Sequence, residues 1–114
     1  MNKWTYVLAF NEEFMTADDA KYFLNARDDV HEWAHVFDNV YLIVSSTTAN
    51  TLGERLLEYV KKNQNREKPK GRYLLTEPSD DRNGWLPQVG WNLLKYRSLT
   101  KPGASDELED EIPF

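Results

Sequence analysis

Two histidines and a glutamate lie at the spacing of a zinc-protease motif. His31, Glu32 and His35 fit the pattern H-E-x-x-H, in which a helix presents both imidazoles to one metal and the glutamate acts as the base. The residues that follow predict a strand hairpin instead of a helix, and in a strand the two histidines lie about 13 Å apart, too far to share a metal. We therefore predict no metal site, no cofactor and no catalytic residue, and keep a zinc protease as an alternative.

The last nine residues combine an acidic run with an apolar tip. Five of the nine residues from Asp106 to Phe114 are acidic, and the run closes on Ile112-Pro113-Phe114. Proline restricts its own backbone, so the ring of Phe114 stands on a semi-rigid stem beside the terminal carboxylate. A ring, a carboxylate and neighbouring acids suit an apolar pocket with a basic rim on another protein. The predicted partner-binding residues are Asp110, Glu111, Ile112, Pro113 and Phe114.

The residues from Glu109 to Phe114 give this tail a resemblance to a known peptide. It resembles the C-terminal peptide of bacterial single-stranded DNA-binding proteins, a short acidic run closed by Ile-Pro-Phe or Leu-Pro-Phe. The resemblance implies that the tail docks replication, recombination and repair proteins instead of DNA, and that those partners read the final Pro-Phe. The alternative is a disordered acidic end that only solubilises the protein, which is the usual fate of a charge run.

The composition describes one small domain. A chain of 114 residues, of which 40% are hydrophobic and 13% aromatic, forms one core and leaves room for a short tail. The sequence contains no cysteine, which excludes a disulfide framework and a thiolate metal site and fits a reducing cytoplasm. The apolar run after Lys3 is too short for a signal peptide or a membrane span. We expect a cytoplasmic protein with no membrane partner.

The positive charge of the chain is concentrated in one stretch. The net charge of −5 argues against nucleic acid, yet six of the fourteen Lys and Arg residues lie between positions 61 and 72, opposed only by Glu67. One interpretation is a solvated helix end and loop. The other is a surface that contacts the phosphates of single-stranded nucleic acid. The candidate residues for nucleic-acid binding are Lys61, Lys62, Arg66, Lys68, Lys70 and Arg72.

Hydrophobic periodicity predicts the elements that position these segments. Thr16 with Asp19 resembles a capping box and predicts a helix to about residue 26. A second helix follows the hydroxyl-rich residues 45–48 and runs to about residue 62. Asp38 and Asn39 suit a two-residue hairpin turn because both tolerate positive φ. Strands are predicted at 4–10, 32–37, 40–46 and 72–77, and an extended arm or fifth strand at 85–94.

The predicted order is strand, helix, strand, strand, helix, strand, and then the arm. This order is typical of an α+β, ferredoxin-like βαββαβ domain, here with an extra C-terminal strand or arm. We predict that this domain, called the body below, covers residues 1–97. Residues 98–114 include Pro102 and Gly103 and are predicted to be a linker and a disordered acidic tail.

The segment from Trp33 to Val44, followed by a Thr-capped helix, gives the body a second resemblance. Over about residues 4–94 it is similar to small ferredoxin-like proteins related to the CRISPR-associated endoribonuclease subunit. The resemblance implies a dimer that pairs through sheet faces or C-terminal strands. Members with nuclease activity carry an aspartate at the end of the first strand, where this chain has Asn11. This departure argues against metal-dependent cleavage.

Alternation along the strands sorts their residues onto two faces. One face is aliphatic and suits packing under the two helices; it collects Val7, Ala9, Ala34, Val36, Leu42, Val44 and Leu74. The other face is strongly aromatic and collects Trp4, Tyr6, Leu8, Phe10, Trp33, His35, Phe37, Tyr41, Ile43, Tyr73 and Leu75. An aromatic face of this size is not expected to stand bare in water. It is covered by the arm, forms a homodimer interface, or stacks bases. Its lack of Lys and Arg favours arm and dimer.

These features predict a non-enzymatic protein of DNA metabolism, from a phage or another mobile element. In this hypothesis the body binds single-stranded nucleic acid through residues 61–72, and the tail docks host replication or repair proteins. The acidic tail would also compete with nucleic acid for residues 61–72, which we call the basic segment. Two alternatives remain: a metal-dependent enzyme, either a nuclease of the resembled family or a zinc protease, and a plain dimeric interaction module.

Overall fold

The computed structural model describes residues 2–78 and 88–94, and within those ranges three helices and four strands are present. The α+β class predicted from the sequence is confirmed. The predicted domain boundary at residue 97 and the whole tail, including its five predicted partner-binding residues, lie outside the described residues. In chain order the elements are β1 Trp4–Phe10, α1 Ala17–Asn25, β2 Val30–Phe37, β3 Val40–Ser45, α2 Ala49–Gln64, β4 Tyr73–Thr76 and α3 Gln88–Leu93.

The sheet has the strand order β2-β3-β1-β4, and every neighbouring pair is antiparallel. Strand β1 is therefore central and nearly fully buried. At its far end Phe10 lies opposite Tyr73, the first residue of β4. The chain that leaves α2 and enters β4 consequently returns to the turn that follows β1. This return places the basic segment next to residues 11–14.

Local signals define the ends of both long helices. The predicted capping box at α1 is confirmed, because Thr16 Oγ1 accepts from the backbone N–H of Asp19 at 3.1 Å and the Asp19 carboxylate accepts from the N–H of Thr16 at 3.4 Å. Thr48 caps α2 through the N–H of Thr51 at 3.2 Å. Helix α2 ends where Asn65 adopts the left-handed conformation with φ 56°. Both helices thus begin on a threonine cap, and α2 also ends on a short polar residue.

Large rings, not small aliphatic residues, fill the layer between the sheet and helices α1 and α2. The core contains Trp4, Tyr6, Leu8, Phe10, Tyr41 and Ile43 of the sheet together with Ala20, Phe23, Leu24, Leu52, Leu56 and Val60 of the helices. The predicted assignment of the two faces is therefore wrong: the aromatic face lies under the helices. Its buried residues are therefore not available as a homodimer interface or a base-stacking platform, and the described arm residues 88–94 pack on the other face. Small helix residues make room for the rings, as where Gly53 lies against the hydroxyl of Tyr73.

The predicted extended arm is wrong for residues 88–94, which contain helix α3. Gly90, Leu93 and Leu94 are buried, and their spacing of three and four residues is helical. The helix packs on β2 and β3 over the aliphatic face, where it meets Ala34, Leu42 and Val44. Thr5 extends this contact from β1, since its Oγ1 donates to the carbonyl of Leu93 at 2.5 Å.

Tyr6 makes the stability of the core depend on pH. Its ring is fully buried and its hydroxyl donates to the carbonyl of Thr47 at 2.6 Å. Burial, and secondarily the charge of Glu77, raises the pKa of the Tyr6 hydroxyl far above its usual value. Burial also raises the pKa of Tyr41. Because these folded-state pKa values exceed the unfolded value, the stability that neutral tyrosine provides is complete below pH 10 and is lost as the pH rises above it.

We expect the free energy of unfolding to fall between pH 9 and pH 11, with about 1 kcal/mol of the loss due to Tyr6. Tyr6→Phe keeps the ring but cannot ionise. The free energy of unfolding of this variant should therefore fall by about 1 kcal/mol less between pH 9 and pH 11 than that of the original protein. The variant lacks one hydrogen bond and is about 1 kcal/mol less stable at pH 9, so the stabilities of the two proteins should converge toward pH 11. Urea unfolding at pH 9, 10 and 11 measures both quantities, and parallel pH profiles for the two proteins would contradict the assignment.

Candidate nucleic-acid interface

The six basic residues predicted from the sequence divide between a helix end and the connection to β4. Lys61 and Lys62 lie in the last turn of α2, where positive side chains interact favourably with the helix dipole. The other four follow the helix. Lys61 is half-buried and the remaining five are exposed. Four of the six, Lys61, Lys62, Arg66 and Lys68, line one shallow concave surface together with Glu58, Asn65 and Glu67, and we call these seven residues the basic concavity.

Four cations and two carboxylates determine the charge of the basic concavity. Lys61 Nζ lies 3.4 Å from the carboxylate of Glu58, an exposed i,i+3 pair of the kind that adds little stability. Arg66 Nε donates to the carbonyl of Lys68 at 3.0 Å, which orients the guanidinium and uses one of its five N–H groups. Four cations against two carboxylates leave a net positive surface. Such a surface attracts phosphates in a salt-dependent way.

Lys70 and Arg72 lie beyond the basic concavity, and neutral side chains hold their backbone. The amide of Gln64 accepts from the N–H of Lys70 at 2.7 Å and donates to the carbonyl of Phe14 at 2.9 Å. Asn11 Oδ1 accepts from the N–H of Arg72 at 3.0 Å. Between them Gly71 has φ 86°, and a Cβ there would lie 2.2 Å from the backbone nitrogen of Phe14. The connection is therefore fastened to the turn after β1.

Asn11 follows β1 directly, and its side chain has a structural task. Besides the N–H of Arg72, its Oδ1 accepts from the N–H of Phe14 at 3.2 Å. Its backbone N–H also donates to the carbonyl of Arg72 at 3.1 Å. Asn11 thus joins the end of β1 to the start of β4. Sequence reasoning noted the missing carboxylate at this position but did not anticipate this role.

The zinc-motif histidines lie in strand β2, not in a helix. The ring of His35 stacks on Tyr41 with centroids 4.7 Å apart, and its Nε2 lies 2.5 Å from the carbonyl oxygen of Asp38. The strand does not place His31 and His35 one turn apart, as the protease motif requires. In residues 2–78 and 88–94, no group of three His, Asp or Glu side chains is placed to hold a metal ion.

A second concave surface, which sequence reasoning missed, lies between α1 and α2. We call it the helical groove, and it is lined by Tyr22, Phe23, Ala26, Arg27, Thr51, Glu54, Arg55, Glu58, Tyr59 and Lys62. Tyr22 is 67% exposed although its ring is large. It stacks on Tyr59 with centroids 6.3 Å apart and 17° between the ring planes. The available signal was an aromatic residue beside, and not on, the apolar face of α1 formed by Ala20, Phe23 and Leu24.

Asp29 holds the two arginines of the helical groove. Arg27 Nε donates to its carboxylate at 3.1 Å, and Arg55 pairs with the same carboxylate. Burial opposes the ionisation of Asp29, but the hydrogen bonds and charge of Arg27, aided by the charge of Arg55, lower its pKa below the usual value. The guanidinium of Arg27 also lies over the ring of Phe23, 5.8 Å from its centroid. Both guanidinium groups are therefore fixed and partly neutralised.

Comparisons with known proteins add no further constraint on the site. None of the helices in the described ranges combines the length and apolar composition that a membrane crossing requires. No protein-family model, curated protein or solved structure matches this chain.

Proposed function

We propose that this chain is a non-enzymatic, cytoplasmic protein of DNA metabolism that serves a phage or another mobile element. In this proposal the body binds single-stranded nucleic acid and the tail docks host replication or repair proteins. The observation that carries the proposal is the basic concavity, where four exposed or half-exposed cations share one surface at the end of α2. Lys70 and Arg72 add two exposed cations on a segment whose backbone is held at the turn after β1.

We infer that the body is a ferredoxin-like domain. The element order βαββαβ and the antiparallel strand order β2-β3-β1-β4, with α1 and α2 on one face, support this inference. We also propose a homodimer that pairs through the β4 side of the aliphatic face, which α3 leaves uncovered because it packs on β2 and β3, and where Leu74 is 61% exposed. Sedimentation equilibrium at micromolar concentration tests the dimer, and the 13.4 kDa monomer mass would contradict it.

The proposed docking by the tail is supported by residue order alone. An acidic run followed by Ile112-Pro113-Phe114 offers a partner one aromatic anchor, one fixed bend and several charges. The same acids are complementary in charge to the basic concavity. We therefore propose that the tail also competes with nucleic acid for that surface. The full chain should then bind nucleic acid with a lower apparent affinity than the body without its tail.

Salt-dependent binding of an oligonucleotide tests the proposed interface. We expect the double variant Lys62→Ala with Lys68→Ala to bind a labelled oligothymidine about fivefold or more weakly at low salt. A plot of log affinity against log salt should become shallower, with the magnitude of its negative slope lower by about 1.4, because each phosphate contact to a single strand contributes about 0.7. Fluorescence anisotropy at three salt concentrations measures both.

Lys3→Ala is the matched control, since Lys3 precedes the end of β1 that lies farthest from residues 11–14. It should leave the affinity and the salt slope near their original values. If the original chain does not bind, binds without salt dependence, or is weakened equally by Lys3→Ala, the proposed interface is wrong.

A further inference from the structure

We propose that the helical groove stacks bases of the single strand whose phosphates the basic concavity holds, and that Tyr22 is the stacking residue. This inference rests on the proposed function and adds to it the place where bases are bound. That place is the helical side of the molecule, not the sheet face on which RNA-recognition modules stack bases.

The ring of Tyr22 is exposed yet well supported. It stacks on Tyr59, and Tyr59 in turn packs at 47° on Phe23, with ring centroids 5.3 Å apart. Phe23 is buried in the main core. Three rings therefore lead from the core to the surface, and the outermost presents a large apolar plane to solvent. Proteins that bind single strands without sequence preference combine such rings with a positively charged groove.

The helical groove and the basic concavity are continuous. Glu58 and Lys62 line both of them. Tyr59 and Lys62 are three residues apart on α2, so their side chains are neighbours on the helix surface. A single-stranded nucleic acid with a phosphate at Lys62 therefore passes directly beside the Tyr22–Tyr59 pair. The arrangement gives phosphates and bases adjacent sites on one path.

The charges of the helical groove favour a base over an acidic peptide. Its two arginines are already paired with Asp29, which reduces their attraction for a carboxylate. Glu54 and Glu58 line the same groove and repel an acidic chain. A nucleobase carries no net charge and presents a flat π-face that any exposed aromatic ring can accept. The groove therefore suits the bases, while the basic concavity suits the phosphates.

The test compares Tyr22→Ala with Tyr22→Phe in the full chain, using oligothymidine and an abasic oligonucleotide of equal length. We expect Tyr22→Ala to bind oligothymidine about fivefold or more weakly with an unchanged salt slope. It should bind the abasic probe as the original chain does. Tyr22→Phe should retain the original affinity because it keeps the ring. Phe37→Ala removes another exposed ring, 52% exposed and outside the groove, and should have no effect.

The outcomes separate this inference from the proposed function. If Lys62→Ala with Lys68→Ala weakens oligothymidine binding but Tyr22→Ala does not, the stacking site is wrong and the phosphate surface stands. If the original chain binds neither probe, both are wrong. A synthetic peptide of residues 106–114 serves as the third probe. If Tyr22→Ala abolishes binding of that peptide and leaves oligothymidine unaffected, the groove is a peptide site and the inference is overturned.

Discussion

Deletion of Pro113 and Phe114 is expected to abolish capture of replication and repair proteins while leaving the body folded. An aromatic anchor at the centre of an interface typically contributes about 2 kcal/mol or more, so its loss should lower affinity about 30-fold or more. Capture on the protein immobilised through its N-terminus, followed by identification of the retained proteins and titration of a purified one, measures the effect.

Two variants with intact acidic runs serve as controls for this deletion. Ile112→Leu should bind normally, because the resembled peptides end in either Ile-Pro-Phe or Leu-Pro-Phe. Ile112→Phe combined with Phe114→Ile keeps the composition and charge but reverses the tip, and it should lose binding as the deletion does. Equal recovery of the same repair proteins by the original chain and the deletion would contradict docking by the tail.

Replacement of Leu8 by alanine is expected to destabilise the protein by about 2–5 kcal/mol. Leu8 belongs to β1, is 1% exposed and lies in the core between the sheet and the two long helices. Truncation leaves a cavity that neighbouring rings cannot fill without leaving their preferred rotamers. The midpoint of thermal unfolding should fall on the order of 15 °C. Urea and thermal unfolding followed by circular dichroism measure the loss.

Leu74→Ala is the matched control, since it makes the same chemical change on the neighbouring strand. Leu74 pairs with Ala9 and points to the opposite face, where it is 61% exposed. Its truncation should change the stability of the dissociated monomer by no more than about 0.5 kcal/mol, so both variants are unfolded below the protein concentration at which the proposed homodimer forms. If Leu74→Ala proved as costly as Leu8→Ala, the aliphatic face would be packed as tightly as the aromatic one. Equal and small losses would contradict the assignment of the core.

Features that depend only on residues close in the chain could be predicted from the sequence. Features that depend on packing between the sheet and the helices could not. The capping box of Thr16 and the turn at Asp38 involve residues close in the chain. Alternation correctly grouped Tyr6 with Tyr41 and Val7 with Leu42, but it carries no information on which face meets the helices. That choice depends on the volume between layers, and small residues such as Gly53 leave space for rings.

The candidate site shows the same division. A run of Lys and Arg is visible in the sequence, as is the end of the helix before it. Two of the hydrogen bonds that fix the run join residues 50 and 61 positions apart, namely Gln64 to Phe14 and Arg72 to Asn11. No local pattern signals pairs of this kind. The helical groove was missed for a related reason, because Tyr22 and Tyr59 belong to different helices.

In the connection between α2 and β4, the groups that hold the backbone at Lys70 and Arg72 are not the groups that carry the positive charge. Neutral amides and main-chain groups fasten it at both Lys70 and Arg72, so the charged ends of those side chains take no part in the fastening. Lys70 and Arg72 can therefore be exchanged for neutral or acidic residues while the hydrogen bonds beneath them are preserved. The segment is consequently a ready place for engineering, where ligand preference can be rewritten by charge swaps without redesign of the fold.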